Sequence, residues 1–196
     1  MRGAVHALVA LAALASCALT SKAPPREQRY FAVTTPTGAA AVQAPGARLR
    51  LGRVTASAHL RYPIEHRTSE VEIAPYETLR WTELPDAYVR RALEHALYEA
   101  RPFEQATGGA APALDVEVLA FEEIARPGHR GGRVRLRYEL RDDRRVVARG
   151  VVTSERDATG PSIDAVVPAI GSALDAATAE LADRVGAALT PAAPGP

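Results

Sequence analysis

"RVRLRYELRDDRRVVARGVVT" (Arg133–Thr153) is the stretch that decides the fold. Val134, Leu136, Tyr138 and Leu140 alternate strictly with Arg133, Arg135, Arg137, Glu139 and Arg141. A period of two belongs to a strand with one buried and one solvated face. Arg141-Asp142-Asp143-Arg144 supplies a tight turn, and Arg145–Thr153 reads as the returning strand. Leu114–Phe121 is strand-like on the other side, so the three segments predict an antiparallel meander.

Downstream, Val166, Ile170, Leu174, Leu181, Val185 and Leu189 form one helical stripe, predicting a helix over about Ala165–Leu189. Pro168 limits how early that helix begins. Upstream, Tyr30–Val33, Arg48–Val54 and Ser69–Ile73 read as strands. Pro85 and Asp86 open a second helix, over about Pro85–Ala100, carried by Val89, Leu93, Ala96 and Leu97 and closed by Pro102. Thr34–Gly46 and Gly108–Pro112 read as loops. The order is βββ-α-βββ-α. It predicts one α+β domain over 29–189, with a mixed or antiparallel sheet packed against two main helices.

The N-terminus reads differently. Ala4–Ala15 is apolar except for His6, which is the length of a secretory h-region and too short to span a bilayer. Leu14-Ala15-Ser16-Cys17 follows: a branched apolar residue, two small residues and the only cysteine of the chain. This is a bacterial lipobox pattern. The small residues let a peptidase approach the backbone, and the thiol takes a diacylglyceryl group. Residues 1–16 are therefore read as a lipoprotein signal peptide, and Cys17 as the lipid-attachment site. The alternatives are an ordinary signal peptide with an incidental cysteine, or a core cysteine. Residues 17–28 read as a lipidated tether whose polar part, Ala18–Gln28, reaches ~40 Å when extended. Multiple acyl chains anchor a protein stably without spanning, and no later stretch approaches a transmembrane length. Ala18, not Asp, follows the cysteine, which favours the outer membrane. The tail 190–196 reads as disordered.

Loss of residues 1–16 leaves 180 of the 196 residues, enough for a sizeable core. The 24 basic residues less Arg2 match the 23 acidic ones, so charge gives no argument for a nucleic-acid partner. With one cysteine no intramolecular disulfide forms.

The sequence holds no catalytic constellation. His59, His66, His95 and His129 lack metal spacing, and no serine sits in GxSxG. Gly128–Gly132 (GHRGG) lacks P-loop spacing and reads as a flexible hairpin connection. No metal or cofactor is expected. Arg133, Arg135 and Arg137 form either a solvated strand face or a surface for an acidic partner or lipid head groups. Trp81, the only tryptophan, either packs in the core or anchors a partner.

The lipobox, "RYFAV" (Arg29–Val33), "LRLGRV" (Leu49–Val54) and "YETLRWTELPDAYVRRALEHAL" (Tyr76–Leu97), in this element order, resemble the ABC-type transport auxiliary lipoproteins, the PqiC-like family. Tyr76, Trp81 and Pro85 match that family's strand leading into its first helix. The resemblance departs at Thr82-Glu83-Leu84 and at His59–Arg67. It implies a non-enzymatic component of an envelope lipid-transport system, with an MCE-domain protein and an ABC permease and ATPase as partners, on the periplasmic face of the outer membrane. The competing readings are an outer-membrane assembly-factor lipoprotein and a periplasmic hydrolase with an unrecognised site.

Overall fold

The computed structural model describes residues 26–34, 46–107, 110–143 and 145–190. Cys17, the signal peptide, most of the tether and residues 191–196 lie outside them, as do most of Thr34–Gly46 and part of Gly108–Pro112. The strands are β1 (Arg29–Phe31), β2 (Arg48–Ala56), β3 (Pro63–Arg67), β4 (Ile73–Trp81), β5 (Glu104–Gln105), β6 (Ala113–Arg126), β7 (His129–Asp142) and β8 (Arg145–Asp157). The helices are α1 (Pro85–Glu94) and α2 (Ile163–Leu189). The fold is a mixed eight-stranded sheet with two helices, of the α+β class.

The predicted meander is present. β7 pairs antiparallel with β6 on one side and β8 on the other, with Leu136 opposite Val118 and Val152. Asp143 takes the left-handed backbone that the tight turn needs, at φ 52°. The β6–β7 connection is shorter than predicted. Pro127 and Gly128 alone make it, and His129–Gly132 belong to β7. Proline followed by a glycine at φ 73° fits the type II turn.

β6 is the spine of the sheet. Its free edge receives two strands end to end, both parallel to it: β2 along Ala113–Val118 and β3 along Glu122–Ile124. β4 then pairs antiparallel with β3, β1 parallel with β4, and β5 parallel with β2. A register shift in β6 between Val118 and Ala120 lies between the two halves. Here the sequence expectation is corrected. Ser69–Ile73 is mostly the β3–β4 connection, with Val71 fully in solvent, and the strands are Pro63–Arg67 and Ile73–Trp81. Two apolar residues at Val71 and Ile73 are too few to distinguish a strand from its turn. The element order is therefore ββββ-α-ββββ-α, counting the two-residue β5.

Both helices pack on one face of the sheet and against each other. α1 covers β2 and β6, and α2 covers β7 and β8. The core joins Leu49, Leu114, Leu136 and Leu140 of the sheet to Leu93 and Leu97 and to Ile170, Leu174 and Leu181 of α2. Each fully buried side chain of this kind contributes about 1.5–3 kcal/mol. α1 continues into a π-helical turn, His95–Glu99, closed by the Ala100 amide on the His95 carbonyl. Within that turn the Tyr98 hydroxyl accepts from the Leu51 amide (2.9 Å) and donates to the Leu49 carbonyl (3.2 Å), tying the helix end to β2.

α2 begins two residues earlier than predicted. Pro168 lies in its second turn and is exposed, so only one backbone bond is lost and the missing partner faces water. At 27 residues, with a stretch of mean hydropathy 1.3, α2 is long and apolar enough to cross a membrane by length and composition. This corrects the reading that no later stretch approaches a transmembrane length. Its apolar side is built into the core. α2 also sits so close to β7 that a Cβ on Gly132 would meet the Ile170 backbone nitrogen at 2.2 Å.

Candidate functional site

The alternation of β7 turns Arg133, Arg135 and Arg137 to the sheet face opposite the helices. Arg137 donates to Glu117 of β6 (2.7 Å), and Arg141 pairs with Glu139 on its own strand. Arg135, opposite Ala120 and Thr153, is exposed and has no carboxylate within 4 Å among the described residues. Arg149 of β8 is likewise unpaired there. A groove of about 640 Å³ crosses this face, walled by charged side chains of four strands, among them Arg53, Asp115, Arg137 and Arg149, and reaching Val151. The predicted arginine row is thus one surface, but its members differ.

Arg133 differs most. It is largely buried where β3 meets β6, between Glu122 (3.8 Å) and Glu155 (3.6 Å), and its Nε lacks a hydrogen-bond partner. Glu122 has no exposed surface and receives the Arg67 guanidinium at 2.7 Å. Glu65 of β3 is the parallel neighbour of Glu122 and is 6% exposed. Its Oε2 has no hydrogen bond, and His59 Nε2 lies 3.6 Å from it. Burial first, and the Glu122 carboxylate second, raise the Glu65 pKa from 4.5 to about 7, against the opposing pull of Arg67. At neutral pH this acid is divided between its two protonation states.

One residue further along β6, Glu123 points to the other face. It accepts from the Tyr76 hydroxyl at 2.6 Å and pairs with Arg130. Burial, then the Glu123 hydrogen bond, pushes the Tyr76 phenol up. His66 stacks on Tyr76 with ring centres 4.3 Å apart. Sequence reasoning missed this cluster. Its signal was two adjacent glutamates inside the apolar run Val116–Ala125, which only buried partners accommodate. No three His, Cys, Asp or Glu side chains converge as metal ligands among the described residues.

Trp81 lies at the end of β4, 1% exposed, edge-on to Phe121 (5.1 Å) and Tyr88 (6.0 Å). It presents no surface to a partner, because the start of α1 closes over it. Cys17 lies outside the described residues.

The model of the ABC-type transport auxiliary lipoprotein component family matches residues 31–182. The chain belongs to this family. No curated protein matches it. Among solved structures, this auxiliary lipoprotein is similar to a Xanthomonas campestris protein of the DUF330 family, at 20% identity and a TM-score of 0.71, over 82% of this chain and 96% of that one. It is similar also to an uncharacterized protein at 14% identity and a TM-score of 0.64, over 82% and 99%. At these identities the likeness bears on the fold alone. The match takes in the charged face and runs from Phe31 of β1 to Ala182 of α2, leaving out the first two residues of β1 and the last turns of α2. An auxiliary lipoprotein of a transport system is a component of the cell envelope.

Proposed function

We propose that the chain is a non-enzymatic docking component of an ABC-type envelope system that transports lipid. Acyl chains on Cys17 hold it at the periplasmic face of the outer membrane. It works beside an MCE-domain protein and an ABC permease and ATPase. Family membership supports the transport role, and Leu14-Ala15-Ser16-Cys17 supports the anchor.

The observation that carries docking, as opposed to lipid carriage, is the chemistry of the concave surfaces. A carrier encloses acyl chains in an apolar site of several hundred Å³. The groove across the sheet is walled by charge. A second groove, of about 370 Å³ beside the last turns of α2, is open to solvent and has the Arg101–Asp183 ion pair in its wall beside Phe103 and Leu189. Most of the large apolar side chains of the described residues are taken up between sheet and helices, and of the exposed ones Tyr62, Val71 and Val146 line neither groove.

Affinity purification of the acylated full chain from cross-linked envelopes, followed by native mass spectrometry, tests this reading. Recovery of MCE-domain and permease components with a lipid-free chain is expected. Phospholipid at near one per chain would make the protein a carrier, and capture of an outer-membrane β-barrel would make it an assembly factor; either sinks the proposal.

A further inference from the structure

We propose that the free edge of β8 receives an extended, acidic segment of a partner protein by strand addition. The proposal rests on the docking reading and names its surface.

β8 is a 13-residue strand that pairs only with β7. The Ala158 amide donates to the Arg130 carbonyl of β7, which fixes the parity of the ladder. Even-numbered residues turn their backbone groups to β7, and Arg149, Val151, Thr153 and Glu155 turn theirs outward. Two of those outward carbonyls already accept from guanidinium groups: Val151 from Arg184 of α2 (3.3 Å) and Glu155 from Arg156 (2.8 Å). No strand covers the edge among the described residues. A long, regular edge with unpaired donors is a template for another strand.

Charge specifies the guest. On the solvated face beside this edge, Arg135 and Arg149 lack a carboxylate within 4 Å among the described residues. An added strand lies about 4.8 Å from β8, so every second side chain falls beside Arg149, Val151 and Thr153. Acidic residues there meet Arg149 directly. They also meet Arg135 across Thr153, which is short enough to leave the path open. Exposed Val151 gives the same face an apolar step, and the groove of the sheet opens onto the edge at Arg149–Val151. Arginine on an edge also deters pairing with unselected strands, so the same residues select for acidity.

The probe is a ten-residue peptide of alternating glutamate and valine, with a lysine–valine peptide as its counterpart, added to the full chain in detergent. The glutamate peptide should bind and slow amide exchange at Val151 and Thr153 at least tenfold. Val151→Pro removes an outward donor without touching the β7 ladder, as an edge position tolerates, and should weaken binding at least tenfold. Arg135→Glu with Arg149→Glu should reverse the preference towards the lysine peptide. The proposal falls if β8 amides show no slowing. It falls equally if folded Val151→Pro binds the peptide as before. Phosphatidylglycerol vesicles that bind native and Val151→Pro chains alike, and more tightly than the peptide does, would reassign the face to lipid. Transporter components that co-purify undiminished with Val151→Pro would refute this surface and leave the docking reading standing. Peptide binding at β8 with no transporter component recovered from envelopes would support the surface and refute that reading.

Discussion

Replacing Glu65 by Gln should change the pH dependence of stability more than stability itself. The folded chain holds the Glu65 proton up to about pH 7, whereas the unfolded chain loses it near 4.5. Between those values the folded state binds more protons, so this group's contribution to stability falls as pH rises, and it is level above about 7. At roughly 1.4 kcal/mol for each pH unit, the loss across the window is about 3 kcal/mol. The cause is local. Glu122 sits beside Glu65 in the ladder, and the Arg67 guanidinium that would offset both is bound to Glu122. A glutamine keeps the shape of the neutral acid at every pH. Thermal unfolding of native and Glu65→Gln chains should give similar melting temperatures at pH 5. At pH 8 the variant should be higher by ~6–12 °C, taking 2–4 °C per kcal/mol for a domain of this size. Melting temperatures that differ by the same amount at both pH values would refute the argument.

Three further outcomes are expected. Trp81→Ala, in the aromatic cluster with Tyr88 and Phe121, should cost ~3–5 kcal/mol, read as a lowered denaturant midpoint in urea. Gly132→Ala should destabilise by about 1–3 kcal/mol or more, because its methyl enters the α2 backbone at Ile170, and circular dichroism melts would show it; Gly128→Asn, in an open turn, should be far milder. Cys17→Ala should abolish metabolic labelling with fatty acid and release the chain into the soluble fraction, and retention in salt-washed membranes would defeat the anchor.

The C-terminal half of the fold was legible because its signals are long. A fourteen-residue strand with a strict polar face, a tight turn into its thirteen-residue return, and a 27-residue helix with one stripe leave little choice of period or partner. The N-terminal half was less legible. Pro63–Arg67 is five residues long, and its inward residue Ile64 is flanked by Pro63 and by a glutamate that is itself buried. A buried Glu65 defeats any rule that equates charge with solvent, because its surroundings come from Glu122 and Arg67, which only the tertiary pairing supplies. The arginine row was visible as a row. That Arg133 is enclosed while Arg135 is open depends on what lies opposite, which a single strand does not record.

The position of β6 has a consequence for how the chain acquires its shape. β2 and β3 are each made first, yet their parallel partner lies about sixty residues downstream, as in Leu51 with Leu114 and Glu65 with Glu122. β6, β7, β8 and α2 are consecutive and close on one another through hairpins and one short connection. Local contacts form faster than distant ones, since loop closure grows costlier with length. On this ground the C-terminal half is expected to form first and β2 and β3 to add to it afterwards. A chain halted before Ala113 has β2 and β3 made but no β6 to pair with, so their apolar residues are expected to stay open to aggregation until β6 emerges.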